Sequence, residues 1–149
     1  MTLAQVRARL EWTRQPGAGP PPGILGDLSG RAVLELGCGS GHNLAVLAAR
    51  HGAIVTGVDH DPAKVARAAE LYGRLPRLQV VRADAGAYLA TVPAGTVDVC
   101  LSIFGALSFD PDPAALLARC ARALRPGGLL GVTIRAGDEH DAVVILARR

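Results

Sequence analysis

The chain has 149 residues, half of them apolar and 19% charged, enough to close one hydrophobic core and too apolar for a disordered tail. Its 16 basic and 13 acidic residues leave +3, and the bases, all arginine except Lys64, are scattered without the basic stripe that nucleic-acid binding calls for. No apolar run is long enough to span a bilayer, no basic-then-apolar leader opens the chain, and no collagen or heptad repeat runs through it. Cys38, Cys100 and Cys120 are odd in number and lack zinc-site spacing. They read as buried, reduced thiols, so the expectation is a cytoplasmic protein without a metal.

Thr2-Leu3-Ala4-Gln5 reads as a capping box, and Leu3, Val6 and Leu10 recur at helical spacing, so a helix is expected over residues 1–15. Pro16 to Gly23 holds four prolines and three glycines and opens a stiff linker, residues 16–30. From residue 31 to 149 strand and helix alternate as one core. Strands are expected at Ala32–Leu36, Ala53–Val58, Leu78–Arg82, Val97–Ile103, Leu129–Ile134 and Ala142–Ala147. Helices are expected at Gly41–His51, at Pro62–Tyr72 with proline at its first position and Gly73 after it, and at Pro113–Leu124, with a helical turn at Gly86–Leu89. Pro126-Gly127-Gly128 separates the last helix from the fifth strand.

The first five strands are joined by connections long enough for crossovers, which implies an α/β fold. Its sheet is doubly wound and mostly parallel, with helices on both faces. Only the seven residues Arg135 to Asp141 separate the fifth strand from the sixth. That is too short for a parallel crossover, so the sheet of about six strands should end in an antiparallel hairpin.

The richest segment is Val33-Leu34-Glu35-Leu36-Gly37-Cys38-Gly39-Ser40-Gly41-His42-Asn43, a strand that runs through three glycines into a helix. Such a loop lets a ligand approach the backbone closely and sets a helix N-terminus beneath it. Read alone, the glycines also fit a plain loop. The dinucleotide fingerprint would place a third glycine where His42 stands, which argues against a nicotinamide oxidoreductase. Asp59 ends the second strand 18 residues past Gly41 and can accept from both hydroxyls of a ribose, since Asp61 serves as the following helix cap. Asp84 follows the third strand and reads either as a ligand or as a cap for the turn at Gly86. Ser102 to Phe104 sit at the carboxyl edge of the fourth strand, beside the crevice where open α/β sheets bind ligands.

These segments, with Leu124-Arg125-Pro126-Gly127-Gly128 after them, resemble in order and spacing the class I S-adenosylmethionine-dependent methyltransferases, over roughly residues 28–134. The resemblance implies a Rossmann-like fold and S-adenosylmethionine as cofactor. It implies that the backbone of Gly37, Cys38 and Gly39 cradles the methionine part, while Glu35 orients the loop and its bound amino group. Asp59 would hold the ribose hydroxyls, and His60 would lie against the adenine. Asp84 would accept from the adenine amine, with the Ala85 N–H toward a ring nitrogen. Ser102 and Phe104 would line the pocket near the sulfonium and the acceptor.

No general base declares itself. His42 and His60 flank the cofactor loops, and His140 lies in the terminal hairpin. Asp110 and Asp112 read first as a turn and a helix cap. Trp12 either covers the cofactor or packs on the sheet. The family has seven strands, and here a helix and one strand have no room after Ile134. The expected function is methyl transfer to a small-molecule acceptor, with no nucleic acid or membrane as partner. The alternative is a catalytically silent cofactor-binding or partner-binding subunit. The apolar edge at Ala142–Ala147 points to a homodimer.

Overall fold

The computed structural model describes residues 1–138 and 140–149. The sheet forms as the strand periodicities require. β1 (Ala32–Leu36), β2 (Ile54–Asp59), β3 (Leu78–Arg82), β4 (Val97–Ile103), β5 (Leu124–Arg135) and β6 (Asp141–Ala147) lie in the order β3-β2-β1-β4-β5-β6. All neighbours pair in parallel except β5 and β6, which run antiparallel from Leu129 opposite Ala147 to Arg135 opposite Asp141. The chain winds outward from β1 to β3, then returns to β4 on the other side of β1. The C-terminal ends of β1 and β4 therefore flank the switch point, where the two crossovers leave a crevice.

Alternation along the strands builds two cores. Val33, Val55, Val99 and Leu101 face α1 (His42–His51) through Leu44, Leu47 and Ala48, together with Trp12, Leu25 and Leu28. Leu34, Leu36, Val58, Cys100 and Leu130 face the opposite way, toward Leu89 of α3 (Ala85–Thr91) and Leu116 and Cys120 of α5 (Pro113–Ala123). α2 (Pro62–Tyr72) joins the first layer by packing Tyr72 with Ala45 and Val46. A single helical turn, α4 (Ala106–Phe109), follows β4 and is not signalled by any sequence period.

The helix expected over residues 1–15 is a single 3-10 turn, Leu3–Gln5. The Gln5 side chain does accept from the Thr2 N–H (2.7 Å), so the capping contact forms without a helix behind it. Long-range side chains claim the backbone groups that a helix would pair. The Arg50 guanidinium donates to the carbonyls of Leu3, Val6 and Arg7, at 3.0, 3.0 and 2.6 Å. The Asn43 amide brackets Glu11, accepting from its N–H and donating to its carbonyl (3.0 and 3.1 Å). This strap carries Trp12 into the core, where its ring lies against Gly131, and so Trp12 packs on the sheet.

Pro126-Gly127-Gly128 does not precede β5; it forms a bulge inside it. Val97 pairs with Leu124 and Val99 with Leu129, so six residues of β5 oppose three of β4. Proline lacks an N–H for the ladder and Gly127 takes a positive φ of 79°, which the bulge accommodates.

Candidate functional site

The crevice at the switch point holds a cavity of about 310 Å³. Its floor comes from strand ends and the turns after them: Gly37 after β1, Val58, Asp59 and His60 at the end of β2, Ala83 to Ala85 after β3, and Phe104 to Ala106 after β4. Lys64, Phe109, Asp110 and Pro111 close its sides. The loop after β1 is shaped by glycine. Gly37, Gly39 and Gly41 have φ of 75°, 57° and 80°, the left-handed region in which an L side chain is strained. A side chain at Gly37 would collide with the backbone of Gly105 and Ala106, so the turns after β1 and β4 can touch only without one. At Gly39 no atom lies within 4 Å of where a Cβ would stand, and the space over the loop is open.

Asp59 ties the site together. It is only 6% exposed, and its Oδ2 accepts from the Gly39 N–H (2.9 Å) while Oδ1 accepts from the Asp61 N–H (2.9 Å). An ionised carboxylate has about four acceptor positions, so two remain for a ligand. His60 is exposed, with Nδ1 4.0 Å from Asp59 Oδ1. Asp61 caps α2 through the Ala63 N–H (2.9 Å), as its place before Pro62 indicates. Asp84 caps α3 through the Ala87 N–H (2.9 Å) and also lines the cavity, so the two readings of this residue are compatible.

Four of the residues singled out from sequence, Glu35, Cys38, Gly39 and Ser102, do not line the cavity. The Gly37 and Cys38 N–H groups both donate to the Val58 carbonyl (2.7 and 3.1 Å), and the Cys38 thiol is buried beside Gly57. Burial, then the nearby Glu35 and Asp59 carboxyls, push that thiol well above its usual range. Gly39 contributes through its bond to Asp59. Glu35 is 3% exposed beneath the glycine loop, and its Oε1 has no hydrogen-bond partner among the described residues. Burial and then the Asp59 charge raise its carboxyl to about 8. Ser102 is fully buried and points to the α4 side of the sheet. Its Oγ accepts from the Leu107 N–H (3.2 Å) and holds the turn that follows β4; it does not line the cavity.

His42 hydrogen-bonds through Nδ1 to the Tyr72 hydroxyl (2.6 Å), and desolvation followed by Arg7 and Arg67 lowers its pKa. His140 lies in the β5–β6 turn, where its carbonyl accepts from the Ala136 N–H (3.0 Å). Asp112 caps α5 through the Ala115 N–H (3.1 Å), and Asp110 accepts from the Asp112 N–H (2.8 Å) at the cavity rim. Lys64 and Phe109 were not anticipated from sequence. Lys64 had one signal, as the only lysine among 16 basic residues. Phe109 is 80% exposed at the cavity edge, an unusual place for a lone aromatic.

Known proteins resemble this chain in sequence and in fold. Residues 33–128 match the family model described as a methyltransferase domain. The ubiquinone biosynthesis O-methyltransferase of Xanthomonas oryzae pv. oryzae (strain PXO99A) is 39% identical over 107 residues, 70% of this chain and 43% of that protein. The trans-aconitate 2-methyltransferase of Deinococcus radiodurans is 38% identical over 109 residues, 72% of this chain and 39% of that protein. This chain thus spans less than half the length of these curated relatives. Among solved structures, phosphoethanolamine N-methyltransferase 2 of Haemonchus contortus, in complex with phosphomonomethylethanolamine and S-adenosylhomocysteine, superposes with a TM-score of 0.65. It is 28% identical over 71% of this chain and 25% of that one. The matched residues run from β1 into β5 and take in every segment that lines the cavity, and on that footing the chain belongs to the methyltransferase-domain family.

Proposed function

We propose that the chain binds S-adenosylmethionine in the switch-point cavity and transfers its methyl group to a small-molecule acceptor. The observation that carries this reading is the joining of Asp59 to the glycine loop: a buried carboxylate with free lone pairs stands beside an open, left-handed backbone turn. The residues fit the cofactor. Asp59 offers acceptors to a diol, Asp84 an acceptor to an exocyclic amine, and Ala85 the first N–H of α3 to a ring nitrogen. Gly39 leaves open space for an amino-acid tail over the loop that covers Glu35, whose Oε1 has no partner among the described residues. His60 and Phe104 add flat ring surfaces to the lining.

When bound, the cofactor supplies a methyl group already activated on a sulfonium. The protein then has mainly to align acceptor and donor, and positioning is its principal lever. The rigid β1 and β4 ends, locked through Gly37 and Gly105, hold the loop in one place. Phe104, Phe109 and Pro111 give the cavity an apolar wall suited to an organic acceptor. The activities for which the relatives are named, O-methylation in ubiquinone biosynthesis and 2-methylation of trans-aconitate, support an organic acceptor of small size.

Calorimetric titration with S-adenosylhomocysteine, followed by methyl transfer from a labelled donor to phenolic and carboxylic acceptors, tests the reading. Saturable binding and labelled product are the expected results. Binding without product from any acceptor would favour the silent cofactor-binding subunit, and no binding would remove both.

A further inference from the structure

The buried Glu35 Oε1 is an acceptor with no donor among the described residues. Its carboxyl lies on the α1 face of the sheet, in register with Gly57 on β2 and Leu101 on β4. Leu44 of α1 and the Cys38 side chain pack over Gly57, so this surrounding is apolar. The titratable groups that face Glu35 are Asp59 from β2 and the Cys38 thiol from the glycine loop; the Cys100 thiol of β4 is near but lies on the opposite face of the sheet. None of them is a cation. An ionised carboxylate in such a place would carry a large desolvation cost with nothing to offset it, whereas the acid form carries little. The glycine loop directly above is where the proposed cofactor would bring an ammonium group.

We propose that Glu35 is held as the neutral acid in the free protein and gives up its proton when the cofactor's ammonium docks at the glycine loop. The inference rests on the cofactor reading given above. The O–H bond of the Glu35 carboxyl breaks, the proton goes to the solvent, and the carboxylate left behind faces a cation that keeps all its own protons. No bond to a cofactor carbon or sulfur changes. Burial supplies the bias toward the acid form, with the carboxyl raised to about 8. Binding is then linked to pH through a residue that touches no acceptor, and affinity should climb as pH rises toward that value.

The test is calorimetry of the full chain with S-adenosylhomocysteine at about pH 6.5, where an α-amine is already protonated. The titration is run in one buffer of low and one of high ionisation enthalpy. The expected result is a buffer-dependent heat equal to about one proton released per ligand bound. Glu35→Gln should still bind and release close to none. A deaminated analogue should bind the parent more weakly and release none. Equal heats in the two buffers, or undiminished release from Glu35→Gln, would overturn the proton link while leaving cofactor binding in place. No heat in either buffer would instead overturn the cofactor reading on which it rests. If Glu35→Gln does not fold, carboxyl carbon resonances of glutamate-labelled parent give the same answer. One buried signal should move from the acid to the carboxylate position on saturation, and a signal that stays put sinks the proposal.

Discussion

Asp59 has two roles that a substitution would remove together. It anchors the glycine loop through the Gly39 N–H, and its remaining lone pairs face the cavity. Hydrogen bonds to a charged group contribute about 1.5–3 kcal/mol each, so Asp59→Ala should weaken S-adenosylhomocysteine by about ten- to a hundredfold. Calorimetry reads this directly, and unchanged affinity would exclude Asp59 as a ligand. Gly39→Val meets no neighbouring atom, yet it must hold a φ of 57° with a branched side chain in the ligand's path. The variant should fold and lose nearly all binding; a soluble variant of parental affinity would place the ligand elsewhere. Glu35 adds a pH signature to the unliganded chain. Its carboxyl is raised from 4.5 to about 8 on folding, so the folded state binds more protons in that interval. Its contribution to stability is complete below 4.5 and gone above about 8. Parent and Glu35→Gln, unfolded in urea across this range, should differ in slope with the parent losing stability more steeply. Asp59 and Asp84 could be found in the sequence because each follows an apolar strand directly. Lys64 and Phe109 reach the cavity from helices, along paths that only tertiary packing defines.

At the level of elements, the core strands and the helices at Pro62–Tyr72 and Pro113–Ala123 were legible, because proline, Asp caps and the apolar period agree there. The N-terminus was not. Its helical spacing is real, but Arg50 and Asn43, more than thirty residues away, take up the backbone groups that a helix would use. Pro126-Gly127-Gly128 was misleading in a similar way, since a bulge and a strand break share the same residues. The strap's worth lies in Trp12, 2% exposed and set against Gly131 of β5. Removing a buried indole costs about 3–5 kcal/mol. Trp12→Ala should lose that much in urea unfolding followed by far-ultraviolet circular dichroism. A loss below 1 kcal/mol would mean that the strap is detached in solution.

Across the whole molecule, the sheet is protected unevenly. Its parallel centre is covered on both faces, by α1 and α2 on one side and α3 and α5 on the other. β6 pairs on one side only, with β5, and its outer edge has no partner strand among the described residues. Val144 and Leu146 are 41% and 47% exposed, and with Leu117 of α5 at 39% they form one apolar patch. From Ala142 to Ala147 there is no proline, lysine or inward charge to discourage pairing; Arg148 and Arg149 guard only the end. Two copies meeting edge to edge about a twofold axis would pair the free backbone groups and bring the two apolar patches side by side. The expected assembly of this chain is therefore a homodimer. Val144→Lys puts a charge in the middle of the patch and should shift sedimentation equilibrium toward monomer at tens of micromolar. A parent chain that stays strictly monomeric at several hundred micromolar would show that the edge is tolerated without a partner.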